Sequence, residues 1–69
     1  MNLDKRAGTW RLIRGQVQEN WGKLTDDDLA IIDGQYEYLI GRLQHRYGWR
    51  REQTENEIHE WLETSRLTA

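Results

Sequence analysis

The chain contains no cysteine and no proline among its 69 residues. Without thiols there is no disulfide to staple the fold, no thiolate metal site and no cysteine nucleophile, and nothing points to an oxidising compartment. Without proline, no helix interior has to absorb a kink, which suits a helical protein. Long apolar runs are also missing. Nothing approaches the roughly 20 apolar residues of a membrane span, and the charged start Met1-Asn2-Leu3-Asp4-Lys5-Arg6 has no apolar stretch behind it, unlike a secretory signal. The expectation is a cytoplasmic protein with no membrane partner. A strong charge of one sign is lacking too. The net charge of −2 weighs against nucleic-acid binding, whose usual signature is a strongly basic domain.

Aromatic residues are plentiful. Four tryptophans and three tyrosines each offer about 150–250 Å² of burial, and they compensate for a length that by itself gives only a modest core. Residues 1–69 are read as one domain. Trp10, Ile13, Val17, Trp21 and Leu24 recur at spacings of three and four, which predicts a first helix from Asp4 or Gly8 to Trp21, with Gly22 as its left-handed stop. Thr25-Asp26-Asp27-Asp28 then opens a second, short helix. Thr25 caps it, Asp28 occupies its third position, and the carboxylates face the positive end of the helix dipole. Leu29 and Ile32 point inward, and Gly34 ends or bends this helix. Tyr36, Leu39, Ile40, Leu43 and Tyr47 define a third helix stopped by Gly48. A fourth spans about Arg51 to Thr64, with Ile58, Trp61 and Leu62 inward and a frayed tail over 65–69.

Shifted by 26 residues, the chain matches itself. Gly8, Trp10, Ile13, Gly15, Val17, Gln18, Trp21 and Gly22 fall on Gly34, Tyr36, Leu39, Gly41, Leu43, Gln44, Tyr47 and Gly48, and Ile32 falls on Ile58. Such a period marks one supersecondary unit used twice, over residues 8–33 and 34–59. Each unit is a helix hairpin that cannot bury its apolar face alone. The fold class expected is therefore all-α, with four helices as two tandem hairpins packed in a pseudo-twofold, orthogonal-type bundle. A plain up-and-down bundle is the alternative.

Gly8-x-Trp10, Gly15-x-Val17, Trp21-Gly22-Lys23-Leu24-Thr25-Asp26-Asp27-Asp28, Ile32-x-Gly34 and Gly41-x-Leu43-Gln44-x-x-Tyr47-Gly48 together resemble the CsbD-like family of small bacterial stress proteins. The resemblance covers nearly the whole chain, and the segment from Trp21 to Asp28 is its most specific part. It implies a compact helical fold, a cytoplasmic location and induction in a general stress response, with no catalytic residues to carry over. Where the family often has a small capping residue before the fourth helix, this chain has Arg50, a poor cap that predicts a frayed start.

No constellation for chemistry emerges. Asp26-Asp27-Asp28 is the carboxylate cluster a hard cation would prefer, but successive helical positions diverge by about 100°, and capping explains all three. His45 and His59 lie on different helices, without the spacing of a zinc site or a base beside a nucleophile, and read as surface residues. The glycines stand too far apart for a phosphate-binding loop. We expect no enzyme, no metal and no cofactor. Charge alternates in blocks: residues 1–23 carry five cations against two carboxylates, 24–37 are acidic, 42–51 basic, and 52–63 hold five glutamates. Each basic long helix could lie beside its acidic partner in modest surface pairs. The functional alternative is a DNA-binding stripe of Arg11, Arg14, Arg42 and Arg46. The interior glycines Gly15 and Gly41 cost about 1 kcal/mol each relative to alanine, and they lie opposite the apolar stripe beside Leu12 and Tyr38. Leu12, Gly15, Tyr38 and Gly41 could form a docking surface for a protein partner, against the plainer view that the glycines tune helix flexibility. The protein itself is expected to be a monomer or to self-associate weakly.

Overall fold

The computed structural model describes the backbone of residues 7–68 and the side chains of residues 10–64. Ala7–Asn20 forms α1, Asp26–Ile32 α2, Tyr36–Tyr47 α3 and Arg51–Thr68 α4. All regular structure among the described residues is helical. Helix α2 packs on α3, and α3 packs on α4. The Asp4–Arg6 part of the longer first-helix expectation, with the basic residues Lys5 and Arg6, lies outside the described residues.

Local chemistry sets most of the boundaries. Seven residues are too few for an isolated helix to persist in water, so α2 depends on its ends and its packing. At its start Thr25 and Asp28 form a full capping box. The Asp28 N–H donates to Thr25 Oγ1 at 3.1 Å, and the Thr25 N–H donates to Asp28 Oδ2 at 2.9 Å. At its end Asp33 takes the left-handed conformation, with φ 44°, and its N–H returns to the Leu29 carbonyl. This moves the stop one residue ahead of the expected Gly34, which itself has φ 82°. Aspartate tolerates this region better than most residues because its side chain is short and polar. Gly48 closes α3 as expected, at φ 72°.

Two expectations are corrected. Gly22 is not a left-handed stop, since the positive-φ glycines are Gly34 and Gly48. Helix α1 instead ends at Asn20, and the chain leaves through a turn in which the Leu24 N–H donates to the Trp21 carbonyl at 3.0 Å. The segment expected to fray after Thr64 remains helical to Thr68, because neither glycine nor proline interrupts the sequence after Gly48. Helix α4 begins at Arg51 despite the poor cap at Arg50. Its first turn is closed by Thr54, whose N–H and hydroxyl both donate to the Arg50 carbonyl, at 3.0 and 2.9 Å.

The core confirms the periodicity. Trp10, Ile13, Val17, Trp21 and Leu24 are buried, as are Leu29 and Ile32 of α2, Leu39, Ile40 and Leu43 of α3, and Ile58 of α4. Tyr36, Tyr47, Trp49, Trp61 and Leu62 are partly buried against them. Each fully buried aliphatic contributes roughly 1.5–3 kcal/mol, so these residues dominate over any surface pair. The recurring unit has a polar signature as well. Gln18 donates to the Leu24 carbonyl at 3.3 Å, and its register equivalent Gln44 donates to the Trp49 carbonyl at the same distance. Each glutamine thus ties down the loop that follows its own helix.

Candidate functional site

The first notable feature is a buried charge. Asp28 is fully buried, which an ionised carboxylate tolerates only when its oxygens are satisfied. Arg46 provides two bonds, from Nε to Oδ2 at 2.7 Å and from Nη2 to Oδ1 at 3.1 Å. Arg42 adds Nε to Oδ1 at 2.9 Å and an Nη2 contact at 2.7 Å. The Arg46 hydrogen bonds, then the capping N–H of Thr25 and the Arg42 guanidinium, outweigh burial and hold the Asp28 carboxyl far below the usual carboxylate range. Capping was legible in the sequence, but this second role was not. Arg42 and Arg46 lie four apart on α3, one turn from each other on the same face, and that spacing is the signal that could have revealed it.

The ion pairs also differ from the expected pattern. The charge blocks predicted pairing within each hairpin, basic helix to acidic helix. Asp28 instead joins α2 to α3, across the two hairpins. Arg51 reaches from the start of α4 to Glu37 at 2.7 Å and to Glu55 at 3.5 Å, and it holds the Glu37 carboxyl below its ordinary range. Arg51 and Glu37 are exposed and Glu55 is only partly covered, so this pairing is screened, which limits what it adds.

Of the four arginines in the expected DNA stripe, Arg42 and Arg46 are thus engaged with one carboxylate, while Arg11 and Arg14 are exposed. Asp26 and Asp27 are exposed and Asp28 is buried, so the three carboxylates do not converge. His45 is exposed, and His59 lies 3.9 Å from Glu63, one turn on. Among the described residues no group of three or more such side chains is placed to hold a metal ion, and no helix is long and apolar enough to cross a membrane.

The residues of the expected docking surface stand outward. Leu12 is 80% exposed and Tyr38 50%, and Gly15 and Gly41 are exposed between them and the next turn. A methyl group at Gly15 or Gly41 would meet nothing within 4 Å, and neither backbone has a positive φ. Internal packing therefore does not require glycine at either place. Gly15→Ala and Gly41→Ala are each expected to stabilise the fold by about 1 kcal/mol. Gly48→Ala, at φ 72°, is expected to destabilise it by about 1 kcal/mol. Thermal unfolding of the three variants checks the opposite signs.

Aromatic contacts brace the C-terminal ends of α1 and α3. Trp21 meets Trp61 edge-on, with centroids 5.2 Å apart. Tyr47 stacks on Trp49 at 4.4 Å, and the Lys23 ammonium lies 5.0 Å from the Tyr47 ring centre.

Among the described residues these features define a compact bundle of four helices whose sequence carries a recurring glycine and aromatic pattern. The chain belongs to the CsbD-like family, which matches residues 4–56. It is similar to the UPF0337 protein YjbJ of Escherichia coli (strain K12), 48% identical over 61 residues that make up 88% of each chain. It is also similar to the UPF0337 protein PA4738 of Pseudomonas aeruginosa, 49% identical over 61 residues, 88% of this chain and 94% of the relative. The UPF0337 protein ECA0631 of Pectobacterium atrosepticum is 48% identical over 88% of each chain. No solved structure matches the chain.

Proposed function

We propose that the protein is a non-enzymatic binding protein of the bacterial cytoplasm, active in the general stress response and docking a protein partner on the outer strips of α1 and α3. The observation that carries this is the repeated pairing of an exposed apolar side chain with an unneeded glycine. Leu12 and Gly15 recur as Tyr38 and Gly41, and a Cβ at either glycine would stand in open space. A helix gives up about 1 kcal/mol at each such glycine for no internal contact. Close approach of a second backbone is a use that glycine serves there and a larger residue would block. The family supports the stress-response part of this proposal.

The test is survival of cells lacking the protein, complemented with variants and exposed to heat, osmotic and acid stress. Gly15→Leu with Leu12→Ser is expected to leave a folded protein that no longer protects. Full protection by that folded variant would sink the proposal.

DNA association through Arg11, Arg14, Arg42 and Arg46 is the second reading, favoured by the exposure of Arg11 and Arg14. Asp28 neutralises one of the other two charges. An amide NMR titration with a short duplex at low and physiological salt decides the matter. Shifts at these four residues that survive physiological salt would establish it. Their loss at modest salt would end it, since phosphate contacts few in number are the most readily screened.

A further inference from the structure

The two halves of the repeat differ at one buried position. Asp28 and Thr54 are register equivalents and both are fully buried. In one half Asp28 receives Arg42 and Arg46 from the neighbouring α3. The register equivalents of those arginines are Gln16 and Asn20 of α1, and Thr54 turns its hydroxyl back to the Arg50 carbonyl at 2.9 Å. Where the other half has an ionic clamp, this half has an open groove between α1 and α4. A hollow of about 260 Å³ lies among Gln16, Glu19, Asn20 and Trp61. It adjoins another of about 220 Å³ beside Glu57 and Glu60, with Asn20 and Trp61 shared between them.

The lining of the groove specifies the charge of what fits it. Trp61 is half-buried and held edge-on by Trp21, so one indole surface is fixed in place. Glu19, Glu57 and Glu60 make no ion pair among the described residues. They come from both sides of the groove and are not grouped to hold a metal ion. A cation on an aliphatic stem satisfies all of these features, because the stem covers the ring and the charge reaches the rims. One exposed ion pair, screened by water and salt, holds little by itself. Retention in an open groove therefore needs several contacts along one chain, which a peptide provides and a free amine does not.

We propose that the groove between α1 and α4 binds a basic segment of a partner protein, with an arginine or lysine side chain laid on Trp61 and its charge among Glu19, Glu57 and Glu60. The site takes from outside the kind of side chain that Arg42 and Arg46 supply from within in the other half. It is separate from the outer strips and does not depend on them.

The test is titration of the isotope-labelled full chain with a capped hexapeptide of alternating arginine and alanine, followed by NMR. The Trp61 indole N–H and the side-chain amides of Gln16 and Asn20 are expected to shift. Glu57→Gln with Glu60→Gln is expected to weaken binding about fivefold to tenfold, whereas Asp26→Asn with Asp27→Asn leaves it unchanged. Glu60→Lys alters a single exposed residue and provides the same test if the double variant does not fold. Shifts spread evenly over the acidic surface, or undiminished binding by the Glu57/Glu60 variants, would overturn the proposal. Spermidine acting as strongly as the peptide would also overturn it, in favour of a small amine.

Discussion

Replacing Asp28 with alanine is expected to remove about 3 kcal/mol of stability at pH 7. Two losses add up in this value: the return bond of the capping box from the Thr25 N–H, worth up to about 1 kcal/mol, and a buried charge pairing whose one-sided removal costs a few kcal/mol. The partners it leaves are partly exposed, with side-chain exposures of 27% for Arg42 and 33% for Arg46, so water takes over part of their solvation and the cost stays near the lower end. A domain of this length holds only about 3–10 kcal/mol in all. The variant is therefore expected to lose a large share of its stability, which urea titration measures directly as a lowered midpoint.

The same residue sets an acid limit. The folded-state pKa of Asp28 lies far below its ordinary value, and an unfolded aspartate titrates near 3.9. Its contribution is thus fully present above about pH 5 and is lost as the pH falls below the unfolded value toward the folded one. The stability difference between the native chain and Asp28→Asn should shrink steadily from pH 5 to pH 2. A difference that stays constant over that range would mean that the carboxylate charge is not what holds α2 to α3.

Leu43→Ala is expected to cost about 3 kcal/mol, within the 2–5 range for truncating a buried leucine. Leu43 is 0% exposed on α3, the helix against which both α2 and α4 pack, so a cavity there is not readily filled by a shift of one neighbour. Its register equivalent Val17 is equally buried but loses fewer atoms on truncation, and Val17→Ala should cost about 2 kcal/mol. Equal losses from both, by chemical denaturation, would show that the two repeats are loaded alike and that α3 has no special place.

The elements legible in the sequence were those with one strong local cause. The three-and-four spacing of Trp10, Ile13, Val17 and Trp21 identified the inward face of α1, and Thr25 with Asp28 identified the start of α2. The errors came where neighbouring residues compete for one job. Asp33 and Gly34 can both adopt the left-handed turn, and Gly22 needed no positive φ because a turn from Trp21 to Leu24 already redirects the chain. The candidate surfaces were legible as far as exposure goes, since Leu12 and Tyr38 point outward as their angles required. Long-range partnership was not legible. Nothing local to Asp28 shows that residues 14 and 18 positions later will reach it, and the groove at Trp61 exists only once α1 and α4 lie side by side.

The loops bear on how the chain behaves after damage. Residues 33–35 and 48–50 are all that separate α2 from α3 and α3 from α4, and each of these pairs, adjacent in sequence, packs together. Little chain entropy is spent in closing such short connections, and small helical proteins with local contacts fold in microseconds to milliseconds. With no proline and no cysteine, neither prolyl isomerisation nor disulfide shuffling adds a slow phase. A chain of this design can melt during a stress and be whole again almost as soon as the stress lifts. Its durability in the cell would then rest on speed of return as much as on resistance to unfolding.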